Sequence, residues 1–204
     1  MTIAHPRIGM DRYVDADWMM LAAAVVRGEM TIEGLHARLV DDIPGPEVRR
    51  KVVGILNRMW FPEDPAGKEI ATKAADLAND QIGERTAAFE AVAISAYPYF
   101  RHVVENVGRL LRLQGSCTAG EVHRRMFEQH GKRSTIDQAT SYGFKTMVSW
   151  RMIVRESDNR LAPAPQLGLS LQGRRLLDNA ANRSRHSVSP LQASDPLLFP
   201  YNAN

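Results

Sequence analysis

Along most of this chain apolar residues recur three and four positions apart, the spacing that gathers them on one face of an α-helix. The first such stretch predicts a helix over residues 16–27, stopped by Gly28. Thr31 then caps a short helix to about residue 40, with Glu33 early in its first turn, where a carboxylate favours the positive helix end. Ile43-Pro44-Gly45-Pro46 reads as a turn. It opens a helix carrying Val48, Val52, Ile55, Leu56 and Met59 and ending at Trp60, before Pro62 and Pro65. Two alanine-rich stretches, 66–78 and 84–95, predict two more helices expected to pack as connectors.

The second half is punctuated more sharply. Tyr97-Pro98 opens a helix whose stripe is Val103, Val104, Val107, Leu110 and Leu111, with Gly115 as its stop. Thr118 begins the next helix, and Glu121 three residues on completes a capping box; this helix ends at His130-Gly131. Ser134 and Asp137 repeat the pattern at the head of a third helix, predicted to reach about residue 150. Residues 152–155, the turn Ser157-Asp158-Asn159 and residues 160–162 predict a short β-hairpin, and residues 171–181 one more helix. Helix, helix, turn, longer helix and two-stranded hairpin is the order of a winged helix-turn-helix.

These elements predict a mainly α chain. An N-terminal helical, helix-turn-helix-like unit spans 12–65, connecting helices 66–96, and a winged helix-turn-helix 97–181. A loose tail, 182–204, ends in Leu197-Leu198-Phe199-Pro200-Tyr201, apolar enough to dock on a surface or a partner. The two units also echo each other. Thr31-Ile32-Glu33-Gly34-Leu35-His36-Ala37-Arg38-Leu39 aligns with Thr118-Ala119-Gly120-Glu121-Val122-His123-Arg124-Arg125-Met126, with Thr, His and Arg at the same offsets. Each segment leads to a turn and then a helix ending in tryptophan, Trp60 or Trp150. The echo leaves open whether the first unit is a second helix-turn-helix.

Charge separates the halves further. The chain carries +3 overall, but residues 97–185 hold fifteen basic and seven acidic residues, a net +8, while residues 1–96 carry −4. Thirteen of those fifteen are arginine, whose planar fork suits phosphate and base edges. An acidic half joined to a basic one points to a nucleic-acid partner for the second half.

On the predicted third helix, Ile136, Thr140, Gly143, Met147 and Trp150, with Ala139 and Phe144 beside them, form the core-facing stripe. The opposite face presents Thr135, Gln138, Ser141, Tyr142 and Lys145: short polar and amide side chains that read base edges, then a cation for phosphate. Gln138 suits an adenine edge. Lys132 and Arg133 precede the helix, where backbone N–H groups already favour an anion. Arg124 and Arg125 are placed to touch phosphate from the second helix, and Arg155 and Arg160 flank the wing turn.

Little else in the chain suggests chemistry. Its single cysteine, Cys117, allows no intramolecular disulfide framework, removes cysteine zinc sites and fits a reducing cytoplasm. The histidines His5, His36, His102, His123, His130 and His186 show no metal spacing, and Gly-rich phosphate loops are missing. Ser141-Tyr142-Gly143 follows no strand and is no nucleophile elbow, and the carboxylates are scattered. No stretch nears the roughly 18 apolar residues of a membrane span, and residues 1–11 lack the apolar segment of a secretory signal. The expectation is a cytoplasmic, non-enzymatic protein without cofactor or metal.

The two helix-turn-helix segments quoted above and the Val148-Ser149-Trp150-Arg151-Met152-Ile153 step into the wing give residues 15–165 a layout that resembles the BrxA-type proteins of BREX phage-defence systems. The proline-rich C-terminal tail departs from it. The resemblance implies a small DNA-binding accessory protein of a multi-gene antiviral defence locus. Two partners are therefore expected: double-stranded DNA, and other protein subunits of the same system. The competing reading is an adaptor whose winged helix and apolar tail scaffold a larger complex.

Overall fold

A computed structural model describes residues 8–201. His5, and most of the segment in which a secretory signal was sought, lie outside the described residues. Among those described, the chain is 66% helical, with nine helices and one two-stranded antiparallel sheet. None of the helices among the described residues is long and apolar enough to cross a membrane.

Three helices open the fold. Helix α1, Ala16–Val26, is capped by the Asp15 carboxylate and stops before Gly28, whose φ of +75° suits a residue without a side chain. Helix α2, Ile32–Asp42, is capped by Thr31, whose hydroxyl accepts the Gly34 N–H at 3.1 Å. Helix α3, Pro46–Trp60, starts on its proline as the sequence predicts. All three pack on one another.

Helix α4, Pro65–Leu77, leads to α5, Ile82–Ala96, which is buried from Gly83 to Ile94 apart from Arg85. That enclosure explains why α5 has no clear apolar stripe: alanines let α3, α4, α6 and α9 approach it from several sides. Here α6 is Pro98–Gln114 and α9 is Leu171–Arg185.

Helices α6, α7 (Ala119–His130) and α8 (Ser134–Ser149) form a second mutually packed trio. The Thr118–Glu121 capping box closes as predicted: the Glu121 carboxylate accepts the Thr118 N–H at 2.7 Å, and the Thr118 hydroxyl accepts the Glu121 N–H at 3.2 Å. The predicted second box does not form. Arg133, in an extended conformation, is the N-cap of α8, so Ser134 is already helical and Asp137 is one position off register. The Asp137 carboxylate instead lies beside His123.

Strands β1 (Ile153–Arg155) and β2 (Leu161–Pro163) pair antiparallel, Arg155 opposite Leu161. Asn159, at φ +65°, makes the turn. Leu161 also exchanges both backbone hydrogen bonds with Cys117, at 2.7 and 2.8 Å, which anchors the hairpin to the α6–α7 connection.

Helix α9 runs four residues past its predicted end because its last turn has partners. Ser184 accepts from Arg101 Nε, and Arg185 bonds Glu105 and Asp195. The chain then returns over α6 through a 3-10 turn, Pro196–Leu198, with Leu197, Leu198, Phe199 and Tyr201 buried. This close approach depends on Gly108, where a Cβ would come within 2.1 Å of the Pro196 carbonyl oxygen.

Candidate nucleic-acid interface

The two faces of α8 are divided as the apolar pattern requires. Ile136, Ala139, Thr140, Gly143, Phe144, Met147 and Trp150 are buried. Thr140 sits in the core because its hydroxyl has partners there, the Ile136 carbonyl at 2.8 Å and the Tyr99 hydroxyl at 2.7 Å. On the other side Thr135, Gln138 and Lys145 are exposed and Ser141 and Tyr142 half-buried, and together with Ser134 and Asp137 they line a shallow groove.

Lys132 and Arg133 are both exposed at the entry to α8. Arg133 donates to the His130 carbonyl at 3.2 Å, so its guanidinium is held near the first turn of α8. Arg124 is exposed on α7, while Arg125 is half-buried. At the hairpin Arg155 is exposed, whereas Arg160 is spent on Ser116, donating to its hydroxyl at 2.8 Å and its carbonyl at 3.1 Å. Glu156 and Asp158 share the turn, so the hairpin tip has no net positive charge.

Three contributors to this face were not picked out in the sequence. Arg12 lies 5.7 Å from the centre of the Tyr142 ring and Lys145 lies at the same distance, so two cations meet one aromatic ring. Separated from Tyr142 by 130 residues, Arg12 had no sequence signal. The segment leading into α1 brings it there: the Val14 N–H bonds Thr146 Oγ1 at 3.0 Å and the Ala16 N–H bonds Ser149 Oγ at 2.9 Å. This segment flanks the C-terminal half of α8 and leaves the N-terminal half open.

The other two are His123 and Asp137. His123 reaches from α7 to α8, its Nδ1 3.1 Å from Asp137 Oδ1 and its Nε2 3.3 Å from Ser141 Oγ. Burial lowers the His123 pKa, opposed by the Asp137 charge, so the imidazole is neutral near pH 7. Serine, histidine and aspartate in this order suggest a nucleophile relay. However, Ser141 lies inside a regular helix, where neighbouring N–H groups are committed to i−4 carbonyls and cannot cradle an oxyanion. The arrangement fixes side-chain direction instead.

A second histidine contact braces the turn from within. His102 Nδ1 and His130 Nε2 are 3.0 Å apart with their rings stacked, and burial, then the neighbouring Arg101, depresses the His102 pKa to about 4. A larger open groove lies elsewhere, between α3, the α5–α6 junction and the end of α9. There Arg183 forks onto Asp64 at 2.6 and 2.8 Å. No protein-family model, curated protein or solved structure matches the chain.

Proposed function

We propose that this is a non-enzymatic protein that binds duplex DNA through a winged helix-turn-helix, with α7 and α8 as the helix pair and the β1–β2 hairpin as the wing. The observation that carries the reading is the division of α8: one face is sealed into the core, and the other stands open at its N-terminal half with Lys132 and Arg133 at its head. The Cys117–Leu161 pairing, which ties the hairpin to the head of α7, supports it further.

In this reading the N-terminal half of α8 enters the major groove, where Gln138 and its neighbours meet base edges. Lys132 and Arg133 neutralise phosphates beside the positive end of the helix. Arg124 meets the backbone from α7, and Lys145 meets it at the far end of the groove, where Arg12 is held by the Asp11 carbonyl and carboxylate at 2.6 and 3.2 Å. The wing contributes chiefly through Arg155, because Arg160 is already engaged. Of the two surfaces the adaptor reading uses, the apolar tail is buried against its own chain and the winged helix remains.

The resemblance to BrxA-type proteins supports an accessory subunit of a prokaryotic phage-defence system, with a local regulator as the other form such a protein takes. Methylase and ATPase genes beside its own would favour the first. The binding test is salt dependence. A fluorescent mixed-sequence duplex is expected to bind at about 50 mM salt, with log affinity falling by roughly 0.9 per neutralised phosphate for each decade of salt. Lys132→Ala with Arg133→Ala should flatten that slope by about 2 and weaken binding to all sequences alike. Wild-type affinity in the double variant would put the wrong helix on the DNA.

A further inference from the structure

The groove on α8 has a chemical bias that its flanking cations conceal. His123 is seated edge-on against Phe144, ring centres 5.5 Å apart, and tilted on Phe127 at 6.0 Å, so its two nitrogens have fixed directions. Its side chain is 13% exposed, whereas that of Asp137, which it contacts, is 62% exposed. The Asp137 charge 3.1 Å from Nδ1 makes no hydrogen bond with it, but its field favours the proton on that nitrogen and hence Nε2 as an acceptor. The Ser141 hydroxyl then donates inward to Nε2, and what it turns toward the groove is lone pairs. Asp137, one helical turn earlier, has only lone pairs to offer. Asp137 and Ser141 therefore set a strip of acceptors one helical turn apart in the middle of the groove, beside the Gln138 amide, with Lys132 and Arg133 at one end and Lys145 at the other.

Such a strip is a liability for a protein that grips phosphate without regard to sequence, because a carboxylate repels the backbone. It is an asset against hydrogen-bond donors. On the major-groove edge only cytosine, through its N4 amino group, and adenine, through its N6 amino group, present donors; guanine and thymine present acceptors at the corresponding atoms. We propose that Asp137 and Ser141, oriented by His123 as a positioning residue, read exocyclic amino groups, and that binding is therefore sequence-specific for cytosine or adenine at adjacent positions. This rests on the DNA-binding reading above and adds the chemistry of the site that is read.

The test is selection of the full-length protein on a random duplex pool, followed by affinity measurements on the enriched site. The wild type should enrich a site in which two nearby base pairs are fixed in identity and orientation, each with its cytosine or adenine on the same defined strand. Replacing that base by an analogue without the amino group, 2-pyrimidinone for cytosine or purine for adenine, should cost about ten-fold in affinity and tell the two sources apart. Asp137→Ala should lose the preference at one position, its affinities for the enriched site and for that site with the one base pair changed becoming equal. Ser141→Ala should lose it at a neighbouring position. For His123→Ala, checked for a native melting profile, both preferences should weaken together, without a change in salt slope, which general loosening of the fold would not leave intact.

A wild-type protein that binds duplex but returns a flat pool overturns the inference and leaves the DNA-binding reading standing. So does an Asp137→Ala protein that enriches the wild-type site with the same base preference. Failure of the wild type to bind any duplex at about 50 mM salt removes the DNA-binding reading itself.

Discussion

Glu90 is enclosed on every side within α5, and one of its oxygens accepts the hydroxyl of Tyr201 at 2.7 Å. Burial pushes its carboxyl up to about 8, against the opposing effect of the Tyr201 hydrogen bond, so the group holds its proton near neutral pH. The sign of the consequence follows from linkage. A carboxyl whose folded pKa lies above its unfolded value of 4.5 contributes stability that is fully present below 4.5 and is lost as pH rises through about 8. Urea midpoints are therefore expected to fall between about pH 5 and pH 9. Glu90→Gln, which keeps the shape without the charge, should flatten that fall. A fall of the same size in the variant would assign it to another group. No sequence pattern announces this residue, because a glutamate among alanines reads as a solvated helix position until the returning tail encloses it.

At the level of elements, the two capping signals make a matched pair with opposite outcomes. Thr118 and Glu121 close a reciprocal box, and the Thr118 backbone N–H is the main reason the Glu121 pKa falls to about 2. Ser134 and Asp137 have the same spacing and close none, because Arg133 takes the cap position. Thr118→Ala should cost about 1 kcal/mol in urea unfolding, and Ser134→Ala less than about 0.5 kcal/mol. Equal losses would mean that Ser134 caps α8 after all. The same contrast shows what was legible in the sequence. The outward and inward faces of α8 could be read because period and burial agree over four turns. The helix start at Ser134 could be read as well, but its cap could not, since a one-residue shift of the cap to Arg133 leaves the apolar pattern unchanged. Likewise the end of α9 depends on Glu105, 80 residues away in sequence, and on Asp195 in the returning tail, and the engagement of Arg160 depends on Ser116.

Across the whole molecule, the tryptophans that close α3 and α8 converge on one ring. Phe89, in the middle of α5 and 1% exposed, meets Trp60 at 6.4 Å and Trp150 at 5.7 Å, edge-on in both cases. Trp150 also packs on Phe100 of α6 at 5.7 Å. The helical trio that begins the chain and the trio that bears the candidate interface thus both meet a single side chain, on a helix packed between α3, α4, α6 and α9. A core shared in this way couples the stability of the two trios, because neither can open without uncovering α5. Unfolding in urea, followed by tryptophan fluorescence and by far-ultraviolet circular dichroism, should therefore give coincident transitions. Phe89→Ala removes the common contact and leaves a cavity that the surrounding helices cannot fully close, at a cost of about 3–5 kcal/mol. Both probes should move to lower urea together. Separate transitions in the wild type, or a variant in which only one probe moves, would show that the trios stand independently, and α5 would then be a spacer between them instead of their common core.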